Sequence, residues 1–335
     1  EQVFGPLQPT QIWQSTNAWA DFPRSGALMA DMYAAKKHEQ VDGVVAVDVP
    51  TLQAILKLTG PVQVPGIDQP VSNANVSAIL LNRLYQQFPR GDQQERQDLI
   101  AATAQAAIDK LQGSSVDPAR LAKSLFAAAE GRHLLIYDAN PSTQAVAARY
   151  GVSGAADAKP YTSFLLAAES GVAAKLDYYV RVKEQMSVRL QADGGAFVTT
   201  KVTLVNTAPK NAKPSYALGG GPGSEYAPGQ YRARLYYWTP RGSFGAGSLP
   251  ESGLELTPAV TTVDPSSSKT VTFQTSIRKL VTDGEVRLDL LPQPRLHATK
   301  VDVTLEPGPW HVKHGALSRH AVLTKTFTPT WKVRR

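Results

Sequence analysis

The chain has 335 residues, of which 42% are apolar and 19% charged, with no cysteine and a formal net charge of +7. This length fits two domains, and the composition excludes a disordered chain and a fold held together by disulfides. No run approaches the roughly 18 apolar residues that a membrane helix needs, so any membrane anchor is expected outside this chain.

The first half of the chain predicts helices alternating with short strands. Helices are expected over Gly26–Lys37, Pro50–Leu58, Asn73–Tyr85, Gln93–Leu111, Asp117–Glu130 and Pro141–Arg149, and strands over Val41–Val49, Gly60–Pro65 and Leu134–Tyr137. Pro23 and the Asp117-Pro118 pair are typical of helix starts, and Gly151 is placed to end a helix. This order predicts an α/β domain over residues 1–185.

Composition changes near residue 186, where Ala, Leu and Gln give way to Val, Thr, Tyr, Gly and Pro. Strands with alternating apolar residues are predicted over Met186–Leu190, Ala196–Asn206, Gln230–Thr239, Thr270–Ile277, Glu285–Leu291, Lys300–Leu305 and Ala321–Thr328. Strands at this spacing, separated by Gly, Pro, Asn and Asp, favour an antiparallel, immunoglobulin-like β-sandwich over residues 186–335.

Several motifs resemble functional sites, but the sequence favours a structural role for them. The run Gly219–Gly223 has no Lys-Ser/Thr after it, so a loop is expected rather than a phosphate-binding motif. His311, His314 and His320 have no cysteine and few carboxylates beside them, which favours surface histidines over a metal site. Asp42 and Asp48 flank one predicted strand and are expected to be turn or cap residues rather than the carboxylate pair of a glycosidase.

Arginines Arg83, Arg90 and Arg96 surround Tyr85 and Phe88 near a predicted helix start. Arginine suits bidentate contacts with phosphate, and helix N–H groups also bind anions. The residue types favour an ordinary polar helix start and leave an anion site as the alternative. Tight basic clusters with interleaved aromatic residues are missing from the sequence, so nucleic-acid binding is not expected.

Five segments resemble an uncharacterised bacterial family known as domain of unknown function 4012. They are Ser15–Pro23, Val41–Gly66, Leu121–Tyr137, Ala173–Arg181 and Val202–Pro209, in the same order over nearly the whole chain. The resemblance implies a membrane-anchored protein with an extracytoplasmic body, and therefore a location in the cell envelope.

The segment Val41–Val64 is also similar to the core of LytR-CpsA-Psr phosphotransferases, which attach glycopolymers to peptidoglycan. That similarity implies an α/β/α layer, arginines that hold a polyprenyl pyrophosphate, and a magnesium ion bound by Asp. Arg96-Gln97 matches the end of an arginine motif in that family, Gln93 stands where an earlier arginine would be, and Arg90 is expected to substitute for it. The implied anion or pyrophosphate site consists of Arg90, Arg96, Gln97, Arg24 and Asp21.

Both families carry a segment upstream of the position of Glu1, so the α/β layer is expected to lack strands and to expose an edge. The expected partners are the upstream fragment of the same precursor or another envelope protein, and an anionic glycopolymer or a polyprenyl-phosphate lipid. No cofactor is expected in this chain, apart from magnesium if it is a phosphotransferase. Two functions stay open: a glycopolymer-binding relative of the phosphotransferases and a non-catalytic envelope scaffold.

Overall fold

The N-terminal part of the protein is mainly helical. A computed structural model describes residues 3–88, 93–156, 159 and 161–335. The helices are α1 (Phe22–Lys37), α2 (Val49–Thr59), α3 (Val76–Ala78), α4 (Leu84–Gln87), α5 (Gln93–Gln112), α6 (Pro118–Glu130) and α7 (Pro141–Arg149). A π-helical turn, Ile79–Arg83, joins α3 to α4, and short 3-10 turns occur at Gly5–Leu7, Trp13–Ser15 and Leu176–Tyr179.

Four of these helices begin with a side-chain cap. Asp21, Asp48, Asp117 and Asn140 accept hydrogen bonds from backbone N–H groups at the starts of α1, α2, α6 and α7. A proline follows within the first two positions of each helix, where its missing N–H costs nothing. The caps satisfy donors that would otherwise be unpaired, so the local sequence sets these helix starts.

Three of the helices, α1, α6 and α7, pack against a small sheet of two strands. β1 (Gly43–Val47) pairs antiparallel with β2 (Leu134–Asp138). Gly26 on α1 lies so close to β2 that a side chain at this position would overlap the Cβ of Tyr137. Within the described residues no strand pairs with the outer edge of β1, where Val45 and Val47 are each 63% exposed. The predicted strand Gly60–Pro65 contributes only a single bridge, from Val62 to Val71.

The C-terminal part consists almost entirely of strands. They are β3 (Ser163–Ser170), β4 (Val180–Leu190), β5 (Ala196–Asn206), β6 (Tyr231–Thr239), β7 (Phe244–Gly245), β8 (Leu249–Glu251), β9 (Leu254–Val263), β10 (Ser267–Ile277), β11 (Val281–Thr282), β12 (Glu285–Arg287), β13 (Asp289–Leu291), β14 (Lys300–Glu306), β15 (His311–Val312), β16 (Ser318–Val322) and β17 (Thr330–Arg334).

These strands form three sheets. Their orders are β16-β14-β4-β5-β10-β7, β13-β3-β6-β9-β8 and β11-β12-β17-β15. Most neighbours are antiparallel, whereas β14 runs parallel to β4 and β13 runs parallel to β3. The chain is therefore a mixed α/β protein with many antiparallel strands. The finer assignments, a LytR-CpsA-Psr-like layer and an immunoglobulin-like sandwich, stay predictions.

The six-stranded and five-stranded sheets share one hydrophobic core. Alternate residues of β4 and β5 are buried, as expected for strands with one face toward a core and the other toward solvent. From β6, Tyr237 reaches Phe273 of the six-stranded sheet, with ring centroids 5.0 Å apart. Tyr236 and Trp238 point to the opposite face, where Phe4 of the N-terminal segment covers them. The second half of β6 is therefore buried on both faces.

The strands of these sheets begin upstream of the predicted boundary between residues 185 and 186. β4 runs through that boundary from Val180, and β3 pairs with β6. The polar run Lys183–Gln185 hides the start of β4 because Glu184 occupies an inward position of the alternation. β3 escapes prediction because it is buried on both faces and shows no alternation.

Other strand predictions also need correction. Glu285–Leu291 is not one strand: β12 and β13 belong to different sheets. The strand predicted over Ala321–Thr328 ends at Val322, while β9 and β17 have no counterpart among the predictions. Among the helices of the described ranges, none combines the length and apolar character needed to cross a membrane.

Candidate functional site

Arg96, the central residue of the predicted anion site, is buried in the structure. The residue is only 2% exposed, and its guanidinium carbon lies 4.6 Å from the centroid of the Tyr85 ring and 4.5 Å from that of Tyr216. Neither Nε nor Nη1 donates a hydrogen bond to any described residue. Because buried N–H groups without acceptors are costly, an anion or other acceptor bound here would stabilise the side chain.

The other predicted site residues have different neighbours. Gln97 is exposed to solvent. The Arg24 guanidinium lies over the Trp19 ring at 4.4 Å and 3.7 Å from Glu251, while the Asp21 carboxylate accepts hydrogen bonds from the backbone N–H groups of Arg24 and Ala156. In the described part of the chain, none of these bonds reaches Arg96. Arg90 lies outside the described residues, so its predicted role stays a prediction.

A cleft of about 560 Å³ lies between the helical part and the five-stranded sheet. Its lining includes the apolar residues Phe22, Met29, Leu81, Leu135, Leu165 and Trp238. Charged and titratable residues also line it, namely Asp48, Arg132, His133, Glu169, Lys175, Asp177 and Arg295. An apolar lining with a few polar groups is typical of a binding site for an organic ligand.

The guanidinium of Arg132 forms hydrogen bonds with the backbone on both sides of it. Its Nη2 donates to the backbone oxygens of Ala20, at 2.7 Å, and Gly154, at 3.0 Å. Burial lowers the pKa of this guanidinium to about 10, although the Asp21 carboxylate acts to raise it. Arg132 therefore connects the N-terminal segment to the chain that follows α7.

Arg295 is likewise engaged with its neighbours. Its Nη1 donates to the backbone oxygen of Ala168 on β3, and its Nη2 lies 3.8 Å from the carboxylate of Asp177. The same carboxylate accepts a hydrogen bond of 2.8 Å from the hydroxyl of Tyr231. Asp177 therefore compensates the charge of Arg295 inside the C-terminal part.

Asp48 and His133 form a pair in the cleft lining. The Oδ2 atom of Asp48 lies 2.6 Å from Nδ1 of His133, and Oδ1 accepts a hydrogen bond of 3.1 Å from the backbone N–H of Thr51. The hydroxyl of Thr51 donates to the backbone oxygen of His133 at 2.7 Å. Asp48 is a helix cap, as its sequence context predicts, but its partner lies 85 residues away and carries no signal in the sequence.

Lys175 is a further cation of the cleft lining, and no described carboxylate lies within ion-pair distance of it. Its Nζ lies 4.9 Å from the centroid of the Tyr85 ring, the same ring on which Arg96 stacks. Two cations without carboxylate partners in the described ranges thus meet at one aromatic ring, and one of them lines the cleft. Near Lys175 in the sequence, Tyr178 and Tyr179 stand where the helical pattern gives way to strands, and such an aromatic pair predicts an interface between the two parts of the chain.

The structure agrees with that interface prediction. Asn82, on the π-helical turn of the helical part, donates a hydrogen bond of 2.9 Å to the Tyr179 hydroxyl. The ring of Tyr178 packs edge-on against Tyr179, with centroids 5.1 Å apart. The two tyrosines therefore connect the helical part to the start of β4.

The histidine cluster does not converge. His311 and His314 are exposed, and Nδ1 of His320 lies 2.6 Å from the Asp302 carboxylate. In the described ranges, no group of three or more His, Cys, Asp or Glu side chains is arranged to hold a metal ion. Gly219, Gly220 and Gly223 adopt positive φ angles in the loop between β5 and β6, as expected for a glycine-rich loop.

Glu184 is a carboxylate within the core of the C-terminal sheets. It occupies an inward position of β4 between Val182 and Met186 and is only 3% exposed. Burial raises the pKa of this carboxyl from 4.5 to about 7. Its charge also acts to raise the pKa of Tyr237, whose hydroxyl lies 2.7 Å from that of Thr200.

Comparison with known proteins gives a match for the N-terminal part of the chain. No curated protein matches the sequence. Residues 1–85 match the model of a family described as "Protein of unknown function (DUF4012)". The matched segment includes α1, β1, α2 and Tyr85, one of the two rings that enclose Arg96. Beyond residue 85 the resemblance stays a prediction, as does the similarity to LytR-CpsA-Psr proteins. The similarity to the DUF4012 family is therefore a finding for residues 1–85 of the chain.

Proposed function

We propose that this protein binds a lipid-linked anionic glycopolymer on the extracytoplasmic side of a bacterial cell envelope. The observation that carries the proposal is the pair of cations, Arg96 and Lys175, that meet at the Tyr85 ring next to a largely apolar cleft. A lipid-linked polymer offers matching chemistry, because a phosphate separates its apolar chain from its polar sugars.

Each part of the ligand has a counterpart among the described residues. The unpaired Nε and Nη1 atoms of Arg96 are donors for phosphate oxygens, which arginine binds well. The Nζ of Lys175 adds a second positive charge beside the same ring. Apolar residues of the cleft, such as Leu81 and Met29, would contact the first isoprene units of the lipid.

The proposal includes a relationship to LytR-CpsA-Psr phosphotransferases. It also includes an arrangement of the helical part in the layers of that fold. Magnesium is usually held by only one or two carboxylates together with the phosphates of its substrate, and the described residues do not single out such a carboxylate. We therefore derive no phosphoryl-transfer step for this chain. Binding of the lipid-linked polymer is the activity that we propose.

Substitution of Lys175 tests the proposal. Lys175→Met keeps the length and apolar stem of the side chain but removes its charge, while Lys201→Met makes the same change at an exposed position on β5. We expect Lys175→Met to weaken binding of polyprenyl phosphate in detergent micelles by roughly tenfold, the loss of one charged hydrogen bond.

The uncharged polyprenol provides the ligand control. Its binding should be equal in the native protein and in both variants, because only the phosphate contacts the cations. Equal binding of polyprenyl phosphate by the native protein and Lys175→Met, or no preference for the phosphate over the alcohol, would contradict the proposal.

A non-catalytic envelope scaffold is the second candidate function, and the open edge of β1 favours it. Unpaired strand edges with exposed apolar residues take up strands from partners, and Val45 and Val47 are each 63% exposed. The proposed partner is an upstream fragment of the same precursor or another envelope protein, either of which would add a strand beside β1.

Mass spectrometry of protein purified from its native envelope tests this second function. We expect a stoichiometric companion polypeptide that is lost in a Val45→Lys, Val47→Lys variant and kept in Val260→Lys, a change at an exposed valine on β9. A well-dispersed monomer with no companion polypeptide would remove the scaffold proposal.

A further inference from the structure

A second concave surface, which we call the basic groove, lies on the C-terminal part and has a volume of about 960 Å³. Its lining carries six cationic side chains: Arg241, Arg278, Lys279, Arg287, Lys313 and Lys332. Asp283 and Glu285 are the carboxylates among its lining residues in the described ranges. The basic groove shares no lining residue with the cleft.

Strand pairing brings these charges together from distant parts of the chain. On β17, Trp331 and Val333 are buried, so the alternating Lys332 faces outward. Lys332 lies opposite Glu285 on β12, and its backbone oxygen accepts a hydrogen bond from the backbone N–H of Lys313. The positive charge of the groove is therefore a property of the folded sheet and not of one basic run.

Most of this charge is uncompensated. Arg287 is engaged with Asp289 through hydrogen bonds of 3.0 and 2.8 Å, and Nε of Arg241 donates to a backbone oxygen. The remaining cations form no ion pair with any described residue, namely Arg278, Lys279, Lys313 and Lys332. Four free cations in one concavity produce a positive potential that attracts a polyanion.

One aromatic side chain accompanies these cations. Tyr161 lines the basic groove and is 65% exposed. A flat exposed ring packs well against the C–H face of a sugar, since its body is apolar and its hydroxyl stays in water. Single-stranded nucleic-acid sites instead stack several bases on successive aromatic rings, and within the described residues Tyr161 is the one aromatic residue of the lining.

We propose that the basic groove binds the sugar chain of a polyanionic glycan, with the four free cations contacting its anionic groups and Tyr161 packing against a sugar ring. The class of ligand rests on the proposed function, in which a glycopolymer is bound through its lipid phosphate in the cleft. The groove adds a separate site for the polymer chain.

Charge reversal in the groove tests this inference with polygalacturonate as the probe. We expect Lys313→Glu with Lys332→Glu to weaken binding at least about tenfold, because the change reverses two charges facing the ligand. The matched control, Lys201→Glu with Lys269→Glu, alters the net charge equally at exposed positions of β5 and β10 outside the groove lining and should bind nearly as the native protein does. Binding should also weaken as salt concentration rises.

Two further measurements distinguish a sugar site from a purely electrostatic one. Tyr161→Ala should weaken binding of polygalacturonate but not that of poly-L-glutamate, a polyanion without sugar rings. Equal losses in the groove variant and its matched control would overturn the inference, as would tighter binding of oligo-dT than of polygalacturonate. Lys175→Met should leave polygalacturonate binding unchanged, so failure of the lipid site and failure of the groove give different results.

Discussion

Replacing Glu184 with Gln removes a carboxylate that is buried between two sheets, and we expect the variant to be more stable than the native protein above pH 7. The side chain is only 3% exposed and occupies a position of β4 whose neighbours on the same face are Val182 and Met186. Glutamine keeps the shape of the protonated acid but does not ionise, so the change isolates the cost of the buried charge.

The magnitude follows from the pKa of this carboxyl, which burial raises from 4.5 to about 7. Below pH 4.5 the carboxyl is protonated in both the folded and the unfolded chain, and the native protein has its full stability. Between pH 4.5 and 7 the unfolded chain loses the proton first, so the free energy of unfolding falls as pH rises. A shift of this size corresponds to about 3 kcal/mol above pH 7.

Chemical denaturation between pH 4 and pH 8.5, followed by tryptophan fluorescence, measures the effect. Glu184→Gln should match the native protein near pH 4 and exceed it by about 3 kcal/mol near pH 8. Glu225→Gln, a change at an exposed loop position, should differ little from the native protein throughout. The reasoning is refuted if the difference between Glu184→Gln and the native protein does not grow with pH.

Two further predictions concern residues that hold the fold together. Burial alone would raise the pKa of Asp289, but hydrogen bonds from Arg287, Thr162 and Thr328 and the charge of Lys159 lower this pKa to about 2. In denaturation experiments above pH 4, Asp289→Asn should therefore have a free energy of unfolding about 2 kcal/mol below that of the native protein. This difference should shrink as the pH falls toward 2. Gly26→Ala should lower the free energy of unfolding by about 1–3 kcal/mol in thermal unfolding experiments, because the added methyl group would overlap Tyr137. The control is Gly5→Ala, whose methyl group would have no atom within 4 Å, and its effect on stability should be close to zero.

Local sequence signals predict many elements of this protein with accuracy. α7 and β5 have the bounds that the sequence predicts, and the predictions for α5 and α6 differ from the structure by one residue at an end. Asp48 caps α2, which is one of the two roles that the sequence favours for it. These features depend on caps, prolines and alternation within a few residues, and such interactions are already defined before the chain folds.

The sequence does not predict elements whose pattern of buried and exposed residues depends on neighbours far away in the chain. β3 is buried on one face by the core of the C-terminal sheets and on the other by a cluster that includes the N-terminal segment, so its sequence lacks the alternation expected of a half-buried strand. The polar residue Glu184 hides the beginning of β4 because nothing local indicates that a carboxylate will face a core. The packing of Phe4 against Tyr236 joins segments that lie far apart in the chain.

The candidate sites show the same division. The sequence identifies Arg96 as a residue of interest from its type and its place near a helix start. Only the tertiary structure encloses it between Tyr85 and Tyr216, brings Lys175 to the same ring, and gathers the basic groove from separated strands. Residue types and local backbone preferences are properties of the chain itself, whereas burial, charge compensation and the meeting of distant side chains exist only after the sheets and helices have packed.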